Sequence, residues 1–150
     1  MSNSLRTSED YELFLYTITD QFSSVRRSTV TLIRRGATTA RVTGEIYFNS
    51  NVRLVVRERL VYNRLPVVID SYGYEVWHGD KKLYWYDSQP HPSDPDLQST
   101  NPHHKHIPPN IKNHRIPAPE MSFTQPNLPA LILEIEAVIN EIREQSKNVK

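Results

Sequence analysis

The chain has 150 residues, of which 37% are hydrophobic and 23% are charged, and it carries six histidines, no cysteine and a formal net charge of +1. Its length suits one domain with one hydrophobic core, and the lack of cysteine excludes disulfides, thiolate metal sites and a cysteine nucleophile. No apolar run approaches the roughly 18 residues of a membrane span, and no signal peptide is recognisable, so we expect a cytoplasmic protein with no membrane partner.

The first predicted element is an amphipathic helix over residues 8–22. Apolar side chains recur there at the spacing that places them on one face of a helix. Thr7 or Ser8 can cap its N-terminus. The apolar face consists of Tyr11, Phe14, Leu15, Ile18 and Phe22.

Five segments rich in β-branched residues follow and predict five β-strands. The connections between them are too short for crossover helices, so we expect an antiparallel meander. The fold class is therefore α+β, with one five-stranded antiparallel sheet, an N-terminal helix and a C-terminal helix. The predicted strands are residues 29–34, 39–48, 52–62, 66–78 and 82–87.

The predicted sheet carries a strongly basic face. Nine arginines but only two acidic residues lie between residues 26 and 64. In the third strand the arginines alternate with apolar residues, which places them on the face away from the core. A solvated sheet face would explain this pattern, but guanidinium groups also bind phosphate, so RNA binding is the functional hypothesis. The predicted RNA-binding residues are Arg41, Arg53, Arg57, Arg59 and, further along the chain, Lys105.

Residues 89–126 form a Pro/His-rich segment without usable periodicity. Ten of the eleven prolines lie between Pro90 and Pro129, and proline lowers the entropy that is lost when a chain is ordered. Apolar residues such as Leu97 and Met121 can anchor the segment. We therefore expect a long ordered arm in polyproline-like and turn conformations that lies across the sheet, with a flexible linker as the alternative.

The last predicted element is a helix over residues 127–146. Its apolar stripe again has helical spacing, and glutamates occupy the opposite face. The whole chain, 1–150, is expected to form a single domain, in which the first helix and the sheet occupy 1–88. The stripe consists of Leu128, Leu131, Ile135, Val138 and Ile142.

Imidazoles and carboxylates supply the candidate catalytic groups. Five of the six histidines lie in the arm, and an imidazole near its usual pKa of about 6.5 can accept and donate protons at cellular pH. Asp87 ends the fifth strand. Glu58 has the parity of the apolar residues, where a carboxylate is costly unless it is paired or tuned for catalysis. The predicted catalytic residues are Glu58, Asp87, His91, His103, His104 and His106.

The histidine-rich arm is compatible with three kinds of site. Two imidazoles, or an imidazole and a carboxylate, can cleave an RNA phosphodiester by acid–base chemistry without a cofactor, with a nearby cation stabilising the phosphate. A divalent metal could instead be held by His91, His104 and His106, with Asp87 as a further ligand. Exposed loop histidines without a function are the third interpretation.

Four segments of the chain resemble the TumE-like family, which comprises small toxins of bacterial toxin–antitoxin systems. The last two are specific in combination, although Ser88 and Pro92 depart from the family pattern. The resemblance implies a toxin paired with a cognate antitoxin, RNA as the target, and Asp87, His91, His103, His104 and His106 as transferable positions. The segments are Gly44–Phe48 (GEIYF), Leu54–Glu58 (LVVRE), Trp85–His91 (WYDSQPH) and Pro102–His106 (PHHKH).

The residues and the resemblance together predict an endoribonuclease toxin that is inhibited by an antitoxin protein. In this hypothesis the arginine face binds phosphates and the arm brings histidines to the scissile bond. The alternative is a non-enzymatic module that binds nucleic acid or protein, with histidines that are structural or that hold a metal. The sequence is also compatible with a homodimer.

Overall fold

An eight-stranded antiparallel sheet, with helices towards both ends of the chain, forms the frame of the protein. The structure is a computed structural model that describes residues 3–148. It confirms the predicted α+β class; the ends of the predicted domain, at residues 1 and 150, lie outside the described residues. The helices are α1 (Ser8–Tyr16), α2 (Ile18–Gln21) and α3 (Leu128–Asn148), with short 3-10 helices at Ser4–Arg6 and Pro95–Leu97. The strands are β1 (Arg27–Ser28), β2 (Thr31–Arg35), β3 (Thr39–Tyr47), β4 (Val52–Val61), β5 (Val68–His78), β6 (Lys81–Asp87), β7 (His104–His106) and β8 (Arg115–Pro117).

The sheet is built around four long strands, β3 to β6, each paired with the next one along the chain. Buried and more exposed residues alternate along β4, because Leu54 and Val56 face the core while Arg57 faces outwards. Tyr11 of α1 and Leu131 of α3 belong to the same hydrophobic core. The helices therefore cover one face of the sheet, and the arginine-bearing outer face is left open.

The sheet has three more strands than predicted, so the five-stranded prediction is wrong. The additional strands, β1, β7 and β8, are two or three residues long. Strands this short contain no alternation that a sequence pattern can reveal. β1 and β2 both pair with β3, and Gly44 allows the chain to pass closely, since a Cβ at its φ of +148° would lie 2.5 Å from the Cα of Val30.

The Pro/His-rich arm also differs from the prediction, because part of it extends the sheet rather than lying across it. β7 pairs with β6, and β8 pairs with β7. Without them β6 would expose a row of unpaired backbone N–H and C=O groups, which pairing satisfies. Leu97 and Met121 are buried, as expected of anchors.

The N-terminal helix is shorter than the predicted span of 8–22. It divides at Thr17 into α1 and α2. The Thr17 hydroxyl donates to the carbonyl oxygen of Leu13 at 2.7 Å, and local bonds of this kind compete with regular helix. The predicted apolar face persists across the break, since Leu15 and Ile18 are both buried.

The C-terminal helix α3 begins at Leu128, one residue after its predicted start. Leu131 and Ile135 on its predicted stripe are buried against the sheet. Within residues 3–148, no helix combines the length and the apolarity needed to cross a bilayer.

Candidate functional site

A row of register partners crosses the outer face of the sheet. Thr43, Arg57, Gly73, Asp87 and His104 occupy successive positions from β3 to β7. Register partners on neighbouring strands point to the same face and lie roughly 5 Å apart. The strand pairing therefore brings residues that are 61 positions apart in the chain onto one line, which we call the cross-strand row.

At one end of this row lies a compact group that we call the Asp–His–His cluster, formed by Asp87, His104 and His106. The Asp87 Oδ1 atom is 2.9 Å from Nε2 of His104, and Oδ2 is 3.4 Å from Nε2 of His106. The two Nε2 atoms are 3.0 Å apart. His104 is 1% exposed and His106 is 2% exposed. Three polar side chains thus converge on one point inside the protein.

The backbone fixes the orientation of both rings in the Asp–His–His cluster. Nδ1 of His104 is 3.0 Å from the carbonyl oxygen of Pro102. Nδ1 of His106 is 2.9 Å and 3.1 Å from the carbonyl oxygens of Ile111 and Lys112. A carbonyl oxygen only accepts, so each Nδ1 carries a hydrogen and each ring directs its Nε2 to the cluster centre.

The charges of the Asp–His–His cluster are strongly coupled. Burial raises the pKa of Asp87, but hydrogen bonds from His104 and His106 outweigh it and hold that pKa well below its usual range. Burial lowers the pKa of His104, yet its hydrogen bond to Asp87 leaves the pKa raised overall. The cluster therefore favours a negative carboxylate facing a positive charge.

Three further side chains surround the cluster. The ring of Trp85 stacks on His106 with centroids 3.7 Å apart, and the partly exposed ring of His91 lies edge-on to His104 at 4.7 Å. Burial and the charge of Arg115 lower the pKa of His91. Arg115 is the register partner of His106, and within residues 3–148 its buried Nε has no hydrogen-bond partner.

The outer face also holds an open groove, the arginine groove, which runs from the arginines of β3 and β4 to Asp87. The guanidinium of Arg57 lies above Gly73, where an added Cβ would be 2.9 Å from its Nη2 atom. Its Nη1 atom is 3.3 Å from Glu75. The lining includes Arg41, Arg57, Arg59, Ser71, Trp85, Asp87, Ser88 and Pro102.

Glu58 lies apart from the cluster, on the core face of the sheet. It is 4% exposed. Its two carboxylate oxygens accept hydrogen bonds from the hydroxyls of Tyr11 at 2.6 Å and Tyr74 at 2.5 Å. Burial raises its pKa, although the two tyrosine bonds oppose the shift. The carboxylate is therefore paired with two tyrosine hydroxyls on the core face.

The structure also separates His103 from the other histidines of the arm. Its Nδ1 atom is 2.6 Å from the hydroxyl of Tyr72. The ring stacks on Tyr72 with an interplanar angle of 4° and contacts Phe123 at a centroid distance of 4.5 Å. The His103 ring is therefore packed between Tyr72 and Phe123.

The predicted RNA-binding cations divide between the two faces. Lys105 lies on the helix-covered face, 3.0 Å from Glu134 of α3. Arg53 is on the outer face but donates to Glu45 and to the carbonyl oxygen of Gly79. Arg57 pairs with the partly buried Glu75, and Arg59 pairs with the exposed Asp70. Arg41 has no ion pair within residues 3–148.

Arg115 and Gly73 are the site residues that sequence reasoning missed. Arg115 comes nine residues after His106 in a proline-rich segment, and only the β7–β8 pairing places it beside the cluster. Gly73 contributes by lacking a side chain. Neither residue belongs to a recognisable motif, so the register of the strands was the information required.

One comparison with known proteins gives a match. A family model described as Toxin TumE matches residues 15–143, a span that includes the Asp–His–His cluster and the arginine groove. No curated protein and no solved structure matches the chain.

Proposed function

The chain belongs to the TumE toxin family, and from this membership and its geometry we propose that it is an endoribonuclease. The Asp–His–His cluster is the proposed reaction centre, and the arginine groove is the proposed RNA-binding surface. The observation that carries the proposal is the cross-strand row, in which Arg57 and the cluster share one face of the sheet. A cognate antitoxin would inhibit the toxin in the cytoplasm, where its RNA substrate is.

The arginine groove supports binding of a single-stranded RNA backbone. Arg41, Arg57 and Arg59 are exposed along it, and a planar guanidinium can donate two parallel hydrogen bonds to a phosphate. Ion pairs between exposed side chains are weak, typically below about 1 kcal/mol, so phosphate can displace the Asp70 carboxylate from Arg59. Asp87 is one of the residues that line the groove, so a strand bound there would pass beside the cluster.

The cleavage that we propose uses the 2′-hydroxyl of the substrate as the nucleophile. His91 is the partly exposed imidazole beside the cluster, and it accepts the proton of the 2′-hydroxyl as that oxygen attacks phosphorus. The bond between phosphorus and the 5′-oxygen breaks, and the leaving oxygen takes a proton supplied by the Asp–His–His cluster. Arg57 and Arg115 stabilise the additional negative charge on the phosphoryl oxygens. The products are a 2′,3′-cyclic phosphate and a 5′-hydroxyl.

A non-enzymatic binding module is the second candidate function. The burial of His104 and His106 favours it, because both rings bond to backbone carbonyls and could simply brace β7 against β6. In that case the arginine groove would bind RNA or an acidic protein without chemistry. Loss of binding on arginine substitution, with no effect of histidine substitution, would support this candidate.

Incubation of the purified toxin with a defined single-stranded RNA tests the proposal. We expect cleavage that leaves cyclic phosphate and 5′-hydroxyl ends, and we expect His91→Ala and His104→Ala to lower the rate at least about 100-fold. His114→Ala is the matched control, since His114 is an exposed histidine of the same arm whose Nδ1 faces the Pro108 carbonyl. Equal cleavage by His104→Ala and His114→Ala would refute the assigned centre.

A further inference from the structure

We propose that the Asp–His–His cluster binds one divalent transition-metal ion through the carboxylate of Asp87 and the Nε2 atoms of His104 and His106. The role of this ion in cleavage rests on the ribonuclease proposal, whereas its binding does not. The sequence alone suggests a metal held by His91, His104 and His106. The geometry favours Asp87 as the third ligand, because its oxygens and the two Nε2 atoms all lie within 4.8 Å of one another.

The separations within the cluster fit a shared ion. Imidazole nitrogen and carboxylate oxygen bind Zn²⁺ at about 2.0–2.2 Å, so adjacent ligand atoms are roughly 3.0 Å apart in octahedral and 3.4 Å apart in tetrahedral geometry. The observed separations are 2.9 Å from Oδ1 of Asp87 to Nε2 of His104, 3.4 Å from its Oδ2 to Nε2 of His106, and 3.0 Å between the two Nε2 atoms. The observed distances therefore cover the range expected between ligand atoms of one octahedral or tetrahedral ion.

The hydrogen bonds outside the cluster are those expected around metal-binding histidines. Such a histidine usually donates its second ring N–H to a carbonyl or carboxylate, which fixes the ring and directs the other nitrogen to the ion. His104 does this with the Pro102 carbonyl, and His106 does it with the carbonyls of Ile111 and Lys112. Stacking on Trp85 holds the His106 ring in the same orientation.

The site also has an open side. The side chain of Asp87 is 14% exposed, whereas those of the two imidazoles are 1% and 2% exposed. Asp87 lines the arginine groove, so an ion at the cluster would face that groove and keep positions for water or a phosphate oxygen. Three protein ligands with an open position are typical of catalytic metal sites, and a bound Zn²⁺ would acidify its water and so supply the proton for the leaving oxygen.

Titration of the EDTA-treated full chain with Zn²⁺, followed by calorimetry, tests the inference. We expect one equivalent to bind, and we expect Asp87→Ala and His104→Ala to weaken binding at least about 100-fold. His114→Ala should bind as the natural chain does. Absence of binding by the natural chain, or equal binding by His104→Ala, would overturn the proposal.

Cobalt provides a readout that does not depend on any variant being folded. In the Co²⁺-loaded natural chain, the two Nδ1–H groups should give two exchangeable, paramagnetically shifted proton signals, one from each ligating histidine. A spectrum without such signals would contradict the ligand set. Metal binding without RNA cleavage would contradict only the ribonuclease proposal. RNA cleavage by a chain that binds no metal would contradict only the metal proposal.

Discussion

The guanidinium of Arg57 occupies the space above Gly73 that any other residue would need for its Cβ. The two residues are register partners on β4 and β5, and Gly73 is in turn the register partner of Asp87 on β6. The missing side chain lets the cation lean across one strand towards the cluster. Gly73 therefore contributes to the proposed site through the space that it leaves free.

Replacing Gly73 by alanine should separate activity from stability. The new Cβ would lie 2.9 Å from Nη2 of Arg57, which forces the guanidinium to move but leaves the strand intact. Since glycine in a strand costs about 0.5–1 kcal/mol relative to alanine, we expect unchanged or slightly higher stability. RNA cleavage should fall roughly tenfold or more, because a charge-assisted contact to phosphate is lost.

A double-mutant cycle checks the cause of the Gly73→Ala effect. If the added methyl acts by displacing Arg57, it should have little further effect on cleavage in an Arg57→Ala background. Additive losses of activity would show that Gly73 acts by another route. Denaturation with urea measures the stability of all three variants.

The binding of RNA should depend on salt through the arginine groove. Each phosphate contact on a single strand contributes about 0.7 to the slope of log K against log salt concentration, so Arg57→Ala should lower that slope by about 0.7. Arg143→Ala, which removes the same charge from the exposed surface of α3, is the control and should leave the slope unchanged. An equal change in both variants would indicate a nonspecific effect of net charge.

Long strands could be predicted from the sequence, whereas the short strand that carries the two cluster histidines could not. The alternation of Leu54, Val56 and Leu60 with arginines identifies both faces of β4, because a strand of ten residues repeats its pattern several times. β7 has only three residues, which are too few to show a repeating pattern of buried and exposed positions. Their pairing with β6 is a long-range event, and only that pairing turns His104 and His106 towards Asp87.

Residue type alone also failed to separate the two faces for the cations and carboxylates. Lys105 was grouped with the arginines because it lies between two histidines, yet alternation within β7 points it to α3. Glu58 was correctly placed on the apolar side from its parity. Its tyrosine partners come from α1 and β5. No local sequence pattern predicts contacts between residues so far apart in the chain.

Lys105→Ala should affect stability and not RNA cleavage. The ammonium group is 3.0 Å from Glu134 and lies 4.2 Å from the centroid of the Tyr84 ring, with little exposure. Loss of both interactions should lower the free energy of unfolding by about 1 kcal/mol. Reduced RNA affinity in a variant that remains folded would instead restore Lys105 to the RNA-binding surface.

Glu58 should make the protein less stable as the pH rises. Burial raises its folded pKa above the unfolded value of 4.5, so its contribution is fully present below pH 4.5 and is lost as the pH rises through the folded pKa. Glu58→Gln does not titrate and should flatten this part of the stability curve. Urea denaturation between pH 4.5 and pH 7.5 measures the difference; parallel curves for the two proteins would contradict the prediction.

The most direct test of the proposed reaction centre is the single-turnover rate of RNA cleavage by Asp87→Asn. This change keeps the shape of the side chain and removes the charge that holds His104 and His106 together. We expect a rate at least about 100-fold lower than that of the natural chain, with RNA affinity unchanged. A folded Asp87→Asn protein that cleaves RNA at the natural rate would contradict it.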